Sequence, residues 1–391
     1  MNTPSPLEKR IKRRIVGPEQ PFFAVCSPGL EALCKTQMQA AGIPADKLQV
    51  HHGGIEFDTR LAKAIELNLI LGIPARIIMR ISRFKADSFE KLEKKINSID
   101  WILYLPENCT LQFKVTAKKS RLYHSDAVIQ RCQAVISKQL GQTRPGKIAG
   151  AAQTIYIRAD HDEFTVSIDT SGDILFKRGI KKKVSHAPLR ENLAFAMLSW
   201  AGFSANDILI DPMCGSGTFS IEAAMIKSGL PPGFFRSFAF ESWPAFSPKA
   251  FAYLKKQAGE SIIFSPEKQI FASDTDENAV SIVKENIKDH GFSRMIEATQ
   301  KDFFDILPPV LSSMQKGVIM LNPPYGKRLG SRYAAPSFFH EISKKLKHDF
   351  KGWHAGIILP DKECITALGL PLDFRPISHG GLEIFAGIGQ I

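Results

Sequence analysis

Four short segments of this chain are apolar without interruption: Ile208-Leu209-Ile210, Ile270-Phe271-Ala272, Val318-Ile319-Met320-Leu321 and Gly356-Ile357-Ile358-Leu359. Stretches with helical spacing separate them. A strand that alternates apolar and polar residues buries one face, whereas one apolar at every position is buried on both. Such strands, alternating with helices, build a doubly wound parallel sheet. The sequence from Pro188 onward is therefore read as an α/β domain. Its first helix carries Leu189, Leu193, Met197 and Trp200 on one face and stops at Gly202. Gly381 to Ile388 is expected to supply a terminal antiparallel pair.

Ligands of open α/β sheets bind beyond the carboxyl ends of the strands. The first strand runs into Asp211-Pro212-Met213-Cys214-Gly215-Ser216-Gly217-Thr218, followed by a helix over Phe219 to Lys227. Gly215 and Gly217 let the backbone pass close to a ligand. Asp211 is placed to accept from a ligand ammonium, directly or through water. The loop lacks the lysine of a phosphate loop, which argues against a nucleoside triphosphate. Cys214 has no adjacent base and is read as a small loop residue. The second strand ends in Ala272-Ser273-Asp274-Thr275-Asp276. Asp274 is expected to bind ribose hydroxyls, while Asp276 is expected to cap the next helix. After the third strand, Asp302 is expected to accept from an adenine amine and Phe303 to pack on the ring. The alternative for this pair is a surface acid beside core aromatics.

The fourth strand ends in Asn322-Pro323-Pro324-Tyr325-Gly326, the most specific motif of the chain. Two prolines exclude continued helix or ladder pairing. An exocyclic amine on a base is a weak nucleophile, because its lone pair is conjugated with the ring. The Asn322 oxygen and the Pro323 carbonyl can accept its two protons, which aims the lone pair and stabilises the charge that develops. Tyr325 can stack on an extruded base. The catalytic candidates are thus Asn322, Pro323, Pro324 and Tyr325. The cofactor candidates are Leu189, Asp211, Cys214, Gly215, Gly217, Thr218, Asp274, Thr275, Asp302, Phe303 and Asn322.

The amino-terminal half reads as smaller α+β units. Residues 1–20 hold Lys9, Arg10, Lys12, Arg13 and Arg14 and are expected to form a flexible basic arm, solvated or touching RNA. A strand over Phe22 to Cys26, a helix with Leu30, Leu33, Cys34, Met38 and Ala41 on one face, and a turn at Gly53-Gly54 mark a first unit, 21–65. Leu61 to Leu71 is helical in spacing and is expected to open a second, 66–170. That unit has a strand at Leu111 to Val115 and a helix from Asp126 to Leu140. Between them lies the basic run Lys118-Lys119-Ser120-Arg121-Leu122-Tyr123-His124, which suits phosphate binding or a solvated surface equally. A basic linker is expected over 171–187. Its run Lys177-Arg178-Gly179-Ile180-Lys181-Lys182-Lys183 carries five positive charges in seven residues. The RNA-binding candidates are Lys118, Lys119, Arg121, His124, Lys177, Arg178, Lys181, Lys182 and Lys183.

The formal net charge of +12 suits a polyanionic partner. The six cysteines form no C-x-x-C pair and no zinc-spaced cluster, so no metal is expected and the thiols read as reduced and cytosolic. The amino terminus has no apolar signal segment, and no run approaches membrane-spanning length.

Residues 188–391 resemble class I S-adenosylmethionine-dependent methyltransferases with the N-P-P-Y motif, which act on amino nitrogens. From about Pro21 the chain resembles the bacterial THUMP-domain 23S rRNA guanine-N2 methyltransferases. Beside the motifs above, the resemblance is carried by Gly29-Leu30-Glu31, Lys119 to His124, Asp169-Thr170-Ser171-Gly172, Lys177-Arg178-Gly179 and Ala187 to Ala194. It implies a C-terminal Rossmann-like domain with a seven-stranded, mostly parallel sheet over 188–391, preceded by α+β ferredoxin-like and THUMP domains. It also implies S-adenosylmethionine as cofactor and 23S rRNA or a large-subunit precursor as partner. Some members carry a second methyltransferase domain; with the sequence ending at Ile391, one activity is expected. A DNA adenine-N6 methyltransferase shares the motif but usually carries a sequence-reading domain of another kind. A non-catalytic RNA-binding or assembly protein would not need the intact set Asp211, Asp274, Asp302 and Asn322. A protein-glutamine methyltransferase has no use for two basic runs.

Overall fold

The computed structural model describes residues 4–107, 109–141, 152–183, 188–311, 315–324, 335–379 and 381–391. They form two compact units: Met1–Cys26, Cys34–Leu175 and Arg236–Lys256 make the first, and Ser27–Leu33, Phe176–Phe235 and Gln257–Ile391 the second. Among the described residues no helix is long and apolar enough to cross a membrane.

The first unit begins with a helix, α1 (Pro6–Ile11), continued by a π-helical turn over Lys12–Val16. The flexible arm expected at 1–20 is thus corrected from Ser5 onward. A capping box between Ser5 and Glu8 starts the helix. Ile11 and Ile15, four residues apart, are buried at 6% and 1% exposure and anchor it.

There follow β1 (Glu19–Val25), α2 (Glu31–Ala40), β2 (Leu48–His51), β3 (Gly54–Arg60), α3 (Leu61–Ile70) and β4 (Arg76–Lys85). The strands pair in the order β2-β3-β1-β4, a ferredoxin-like arrangement. Helix α3 packs on β1, β3 and β4. It therefore closes this subdomain instead of opening the next, and the boundary expected at 65 moves to the end of β4. Helical spacing identifies a helix but does not say which sheet its apolar face meets.

The next subdomain contains α4 (Phe89–Asn97), β5 (Thr110–Lys118), α5 (Ser125–Gln139), β6 (Ala152–Asp160) and β7 (Glu163–Asp169). Because β7 pairs with β4, one seven-stranded sheet, β2-β3-β1-β4-β7-β6-β5, runs through both subdomains. The β6–β7 turn places His161 and Asp162 at φ of 51° and 62°, as a two-residue hairpin of type I′ requires. The end of β7 is locked in place. Asp169 pairs with Arg76, and the Thr170 and Ser171 hydroxyls bond the Asn68 amide at 2.9 and 2.7 Å. Residues 236–256 fold into this unit too. Arg236 donates to the carbonyls of Ile174 and Asp173 at 2.7 and 2.5 Å, and the Trp243 indole to Gln153 at 2.8 Å. The domain expected to run unbroken over 188–391 is therefore interrupted.

The second unit holds α6 (Glu191–Trp200), β8 (Ile208–Asp211), α7 (Thr218–Ser228), the end of α8 (Pro248–Glu260), β9 (Ile270–Asp274), α9 (Glu277–Ile287), β10 (Ile296–Gln300), β11 (Gly317–Leu321), α10 (Ala335–Asp349), β12 (His354–Leu359), α11 (Lys362–Leu368), β13 (Asp373–His379) and β14 (Leu382–Gln390). Its sheet has the order β10-β9-β8-β11-β12-β14-β13. The first five strands are parallel, and β14 enters antiparallel between β12 and β13. This is the doubly wound, class I methyltransferase-type sheet that the four apolar segments foretold. The stretch 171–187 is not a linker where it is described, since Leu175 and Ile180 are buried at 2% and 1% exposure.

Candidate active site

Every candidate cofactor residue lies in the second unit, and most lie at the carboxyl edge of its sheet. After β8 the chain turns through Cys214 to Gly217 into α7. Gly215 and Gly217 adopt φ of 51° and 76°, the left-handed region that favours glycine. A Cβ on Gly217 would stand 3.0 Å from Val283 of α9. Three bonds tie the loop down: Cys214 N–H donates to the Ser273 carbonyl (2.9 Å), Gly215 N–H to Asp274 Oδ2 (2.9 Å) and Gly217 N–H to the Cys214 carbonyl (2.7 Å).

Asp211 is 1% exposed. Its Oδ2 accepts from the Ser220 N–H and hydroxyl at 3.2 and 2.7 Å, while its Oδ1 is buried without a partner. Burial, partly offset by Ser220, pushes this carboxyl up to about 7. The Ser216 and Ser273 hydroxyls are likewise buried and unpartnered. Three orphaned polar atoms around one glycine loop fit a ligand that brings hydrogen-bonding groups, since a buried polar group left alone costs free energy. The residues thus fit the ammonium-bearing end of S-adenosylmethionine. Ser216 and Ser273 were missed as candidates, although both stand inside the motifs quoted above.

Asp274 accepts from Gly215 at Oδ2 and from the Asp276 N–H at Oδ1 (3.1 Å), and each oxygen keeps a lone pair for a further donor. Asp276 caps α9, accepting from Asn278 N–H. Thr275 lies between the two acids. Burial first, then the carboxylates of Asp211 and Asp274, push the Cys214 thiol far up, so it stays protonated and is no nucleophile. Leu189 is buried, and its carbonyl accepts from the Thr218 hydroxyl (3.3 Å).

Two assignments after β10 change. Asp302 is exposed, but its Oδ1 accepts from Phe304 N–H and caps a short 3-10 turn over Phe303–Asp305. Phe303 is 2% exposed and packs with Phe350, ring centroids 6.4 Å apart, in a core that also holds Ile306, Leu321 and Phe338. Its ring is committed to that core, which corrects the expected stacking on adenine. The residue beside an exposed cap is turned inward by the 3-10 turn.

Asn322 and Pro324 are half-buried and Pro323 is buried, directly after β11. Tyr325 lies outside the described residues. Strands β8 and β11 are parallel neighbours, with Ile319 opposite Ile210. Asp211 and Asn322 therefore leave adjacent strands at the same sheet edge.

The basic runs behave differently. In the first unit Lys118, Lys119, Arg121, Tyr123 and His124 are exposed. Arg121 is tethered through its N–H to Asp162 at 2.6 Å, and the Tyr123 and His124 rings lie 4.1 Å apart. In the second unit Lys177 is exposed, but Arg178 is not. Arg178 forms a bidentate pair with Glu222 of α7 at 3.0 and 3.2 Å, with side chains 2% and 0% exposed. The Lys181 side chain is turned inward, 6% exposed, and bonded to Glu191 at 2.6 Å and to the Thr218 hydroxyl at 3.1 Å. Lys182 and Lys183 are exposed and pair with Asp289 and Glu285. Arg178 and Lys181 are thus corrected from RNA contacts to internal braces, because Glu222 of α7 is buried and Glu191 of α6 half-buried, and both need partners.

The comparisons with known proteins agree with this arrangement. A family described as RMKL-like, methyltransferase domain, matches residues 178–373; an RlmL ferredoxin-like domain matches 21–78 and a THUMP domain 86–169. A Synechocystis protein named "Putative RNA methyltransferase slr0064" is 30% identical over 93% of this chain and 94% of its own length. The Ribosomal RNA large subunit methyltransferase K/L of Methylococcus capsulatus is 29% identical over 93% of this chain but only 50% of its own length, so the chain spans about half of that relative. The crystal structure of SMU.472, complexed with SAH, is 28% identical, with a TM-score of 0.85 and coverage of 96% of this chain and 99% of that one. By these matches the chain belongs to the RMKL-like methyltransferases, with an RlmL-type ferredoxin-like domain and a THUMP domain ahead of the catalytic domain.

Proposed function

We propose that this methyltransferase uses S-adenosylmethionine to methylate the exocyclic N2 amine of a guanine in 23S rRNA. The observation that carries the reading is the parallel pairing of β8 with β11, which sets the Asp211–Thr218 loop and Asn322-Pro323 side by side at one sheet edge. The names of the Synechocystis and Methylococcus relatives support RNA, and in the second case large-subunit rRNA, as the substrate class.

The cofactor, when bound, supplies a methyl group on a sulfonium. The chain does the rest. Asp211 Oδ1 is the buried acceptor for the cofactor ammonium, and Gly215 and Gly217 keep the loop close without a Cβ. Asp274 offers its remaining lone pairs to ribose hydroxyls. The Asn322 oxygen and the Pro323 carbonyl accept the two N–H bonds of the target amine. That removes lone-pair delocalisation into the ring and stabilises positive charge on nitrogen as the N–C bond forms; the surplus proton then leaves to solvent. Lys118, Lys119, Arg121, His124 and Lys177 are assigned to phosphate contacts.

DNA adenine-N6 methylation is the rival that shares Asn322 to Pro324, and the THUMP domain favours RNA over it. The role of Asn322 is tested by Asn322→Ala. Transfer should be lost while calorimetry gives a nearly unchanged affinity for S-adenosylmethionine. A large loss of cofactor affinity would show that Asn322 holds the cofactor and not the amine.

A further inference from the structure

Residues 4–20 lie ahead of the matched ferredoxin-like domain, which begins at 21. They are nonetheless ordered by specific contacts within the first unit. Ile11 and Ile15 are buried, and the chain packs on β1, α3 and the 3-10 turn Trp101–Leu103. Arg10 pairs with Asp100, and Arg14 lies 3.6 Å from the same carboxylate. The Gln20 amide donates to the Arg14 carbonyl at 2.7 Å. These contacts fix the orientation of the segment. Ile11 and Ile15 face inward, Arg10 and Arg14 flank them, and Lys9, Lys12 and Arg13 are left on the outer side with Leu7 and Val16.

The outer cations are not neutralised. Among the described residues no carboxylate pairs with Lys9, Lys12 or Arg13; of the two acids of the segment, Glu8 is committed to the Ser5 N–H at 2.6 Å and Glu19 pairs with Lys47 at 2.6 Å. The last turn of α4, which leads to Asp100, adds exposed Lys94 and Lys95. Three unpaired cations on a fixed backbone cost little further backbone ordering when an anion arrives. Packing uses up Ile11 and Ile15, and only Leu7 and Val16, near the two ends, stay exposed, so the segment keeps no broad apolar face for a lipid surface.

We propose that residues 6–16 form a fixed phosphate-binding arm that extends the RNA footprint beyond the THUMP domain, through Lys9, Lys12 and Arg13. The proposal rests on RNA as the substrate. Each phosphate neutralised releases counterions, so three contacts contribute about 2–3 to the slope of log affinity against log salt.

The test is Lys9→Gln, Lys12→Gln and Arg13→Gln together, leaving Arg10, Ile11, Arg14 and Ile15 in place. Binding to 23S rRNA fragments is followed by fluorescence anisotropy between about 50 and 300 mM KCl. The expected result is an unchanged melting temperature, a salt slope smaller by about 2–3, and an affinity lower by at least about tenfold at 0.1 M salt. Equal slope and affinity in the variant and the natural protein would overturn the arm while leaving the proposed function standing. Arm-dependent binding to phosphatidylserine vesicles without any effect on RNA would overturn it as well. A natural protein that binds no RNA would overturn both readings.

Discussion

Arg178→Met should unfold the catalytic unit more easily without touching RNA affinity. The Arg178–Glu222 pair is bidentate, at 3.0 and 3.2 Å, with both side chains almost fully buried. Removing the cation leaves a buried carboxylate unpaired, which costs about 3–5 kcal/mol. For a unit of this size each kcal/mol lowers the melting temperature by about 2–4 °C, so a fall of roughly 6–20 °C is expected. The pH dependence has a defined sign. Burial already holds the Glu222 carboxyl above its ordinary value, and Arg178 is the main influence lowering it. Without Arg178 the folded carboxyl rises further. A carboxyl with a raised folded value favours the folded state less as pH climbs through it. The penalty should therefore be greatest above neutrality and shrink toward pH 5. The double variant Arg178→Met with Glu222→Leu should recover most of the loss, since apolar residues of similar size often replace a buried pair at little cost. Differential scanning fluorimetry and urea unfolding measure this, with RNA anisotropy alongside. An Arg178→Met protein with unchanged melting and a reduced salt slope would refute the bracing role and restore Arg178 to the RNA surface.

Three further outcomes are expected. Because Asp211 titrates near 7 when its Oδ1 has no partner, S-adenosylmethionine affinity should weaken as pH falls below about 7, by up to about tenfold per unit; calorimetry between pH 5.5 and 8.5 checks it, and Asp211→Asn should flatten the profile. Gly217→Ala forces a side chain into a φ of 76° and to within 3.0 Å of Val283, so it should lower stability by about 1–2 kcal/mol and weaken the cofactor more than RNA. Lys119→Glu with Arg121→Glu should lower RNA affinity with no change in cofactor affinity, and unchanged anisotropy would remove that loop from the footprint.

The sheet edge was legible because its signals are local. Four continuous apolar runs became parallel strands, and three of them end in a loop residue with defined chemistry, Asp211, Asp274 and Asn322. What stayed hidden depends on partners distant in sequence. Arg178 and Lys181 read as RNA-binding charges until they are seen paired with Glu222, buried in α7, and Glu191, at the start of α6. One clue existed, since Glu222 is an acid within the otherwise apolar run Ile221 to Ile226. Ile11 and Ile15, four residues apart, were an equally readable sign that the basic arm has an anchoring face. The passage of 236–256 into the first unit rests on Gln153 and Arg236, which no local pattern connects. Phe303 was placed by its position after a strand, which does not say which way the 3-10 turn Phe303–Asp305 points its ring.

The central claim is methyl transfer to a guanine amine in RNA. The protein should be incubated with isotopically labelled S-adenosylmethionine and unmethylated 23S rRNA, with double-stranded DNA in parallel, and the digested nucleosides identified by mass spectrometry. Labelled N2-methylguanosine is expected from the RNA and none from the DNA. Labelled N6-methyladenine in DNA, with unlabelled rRNA, would contradict that claim.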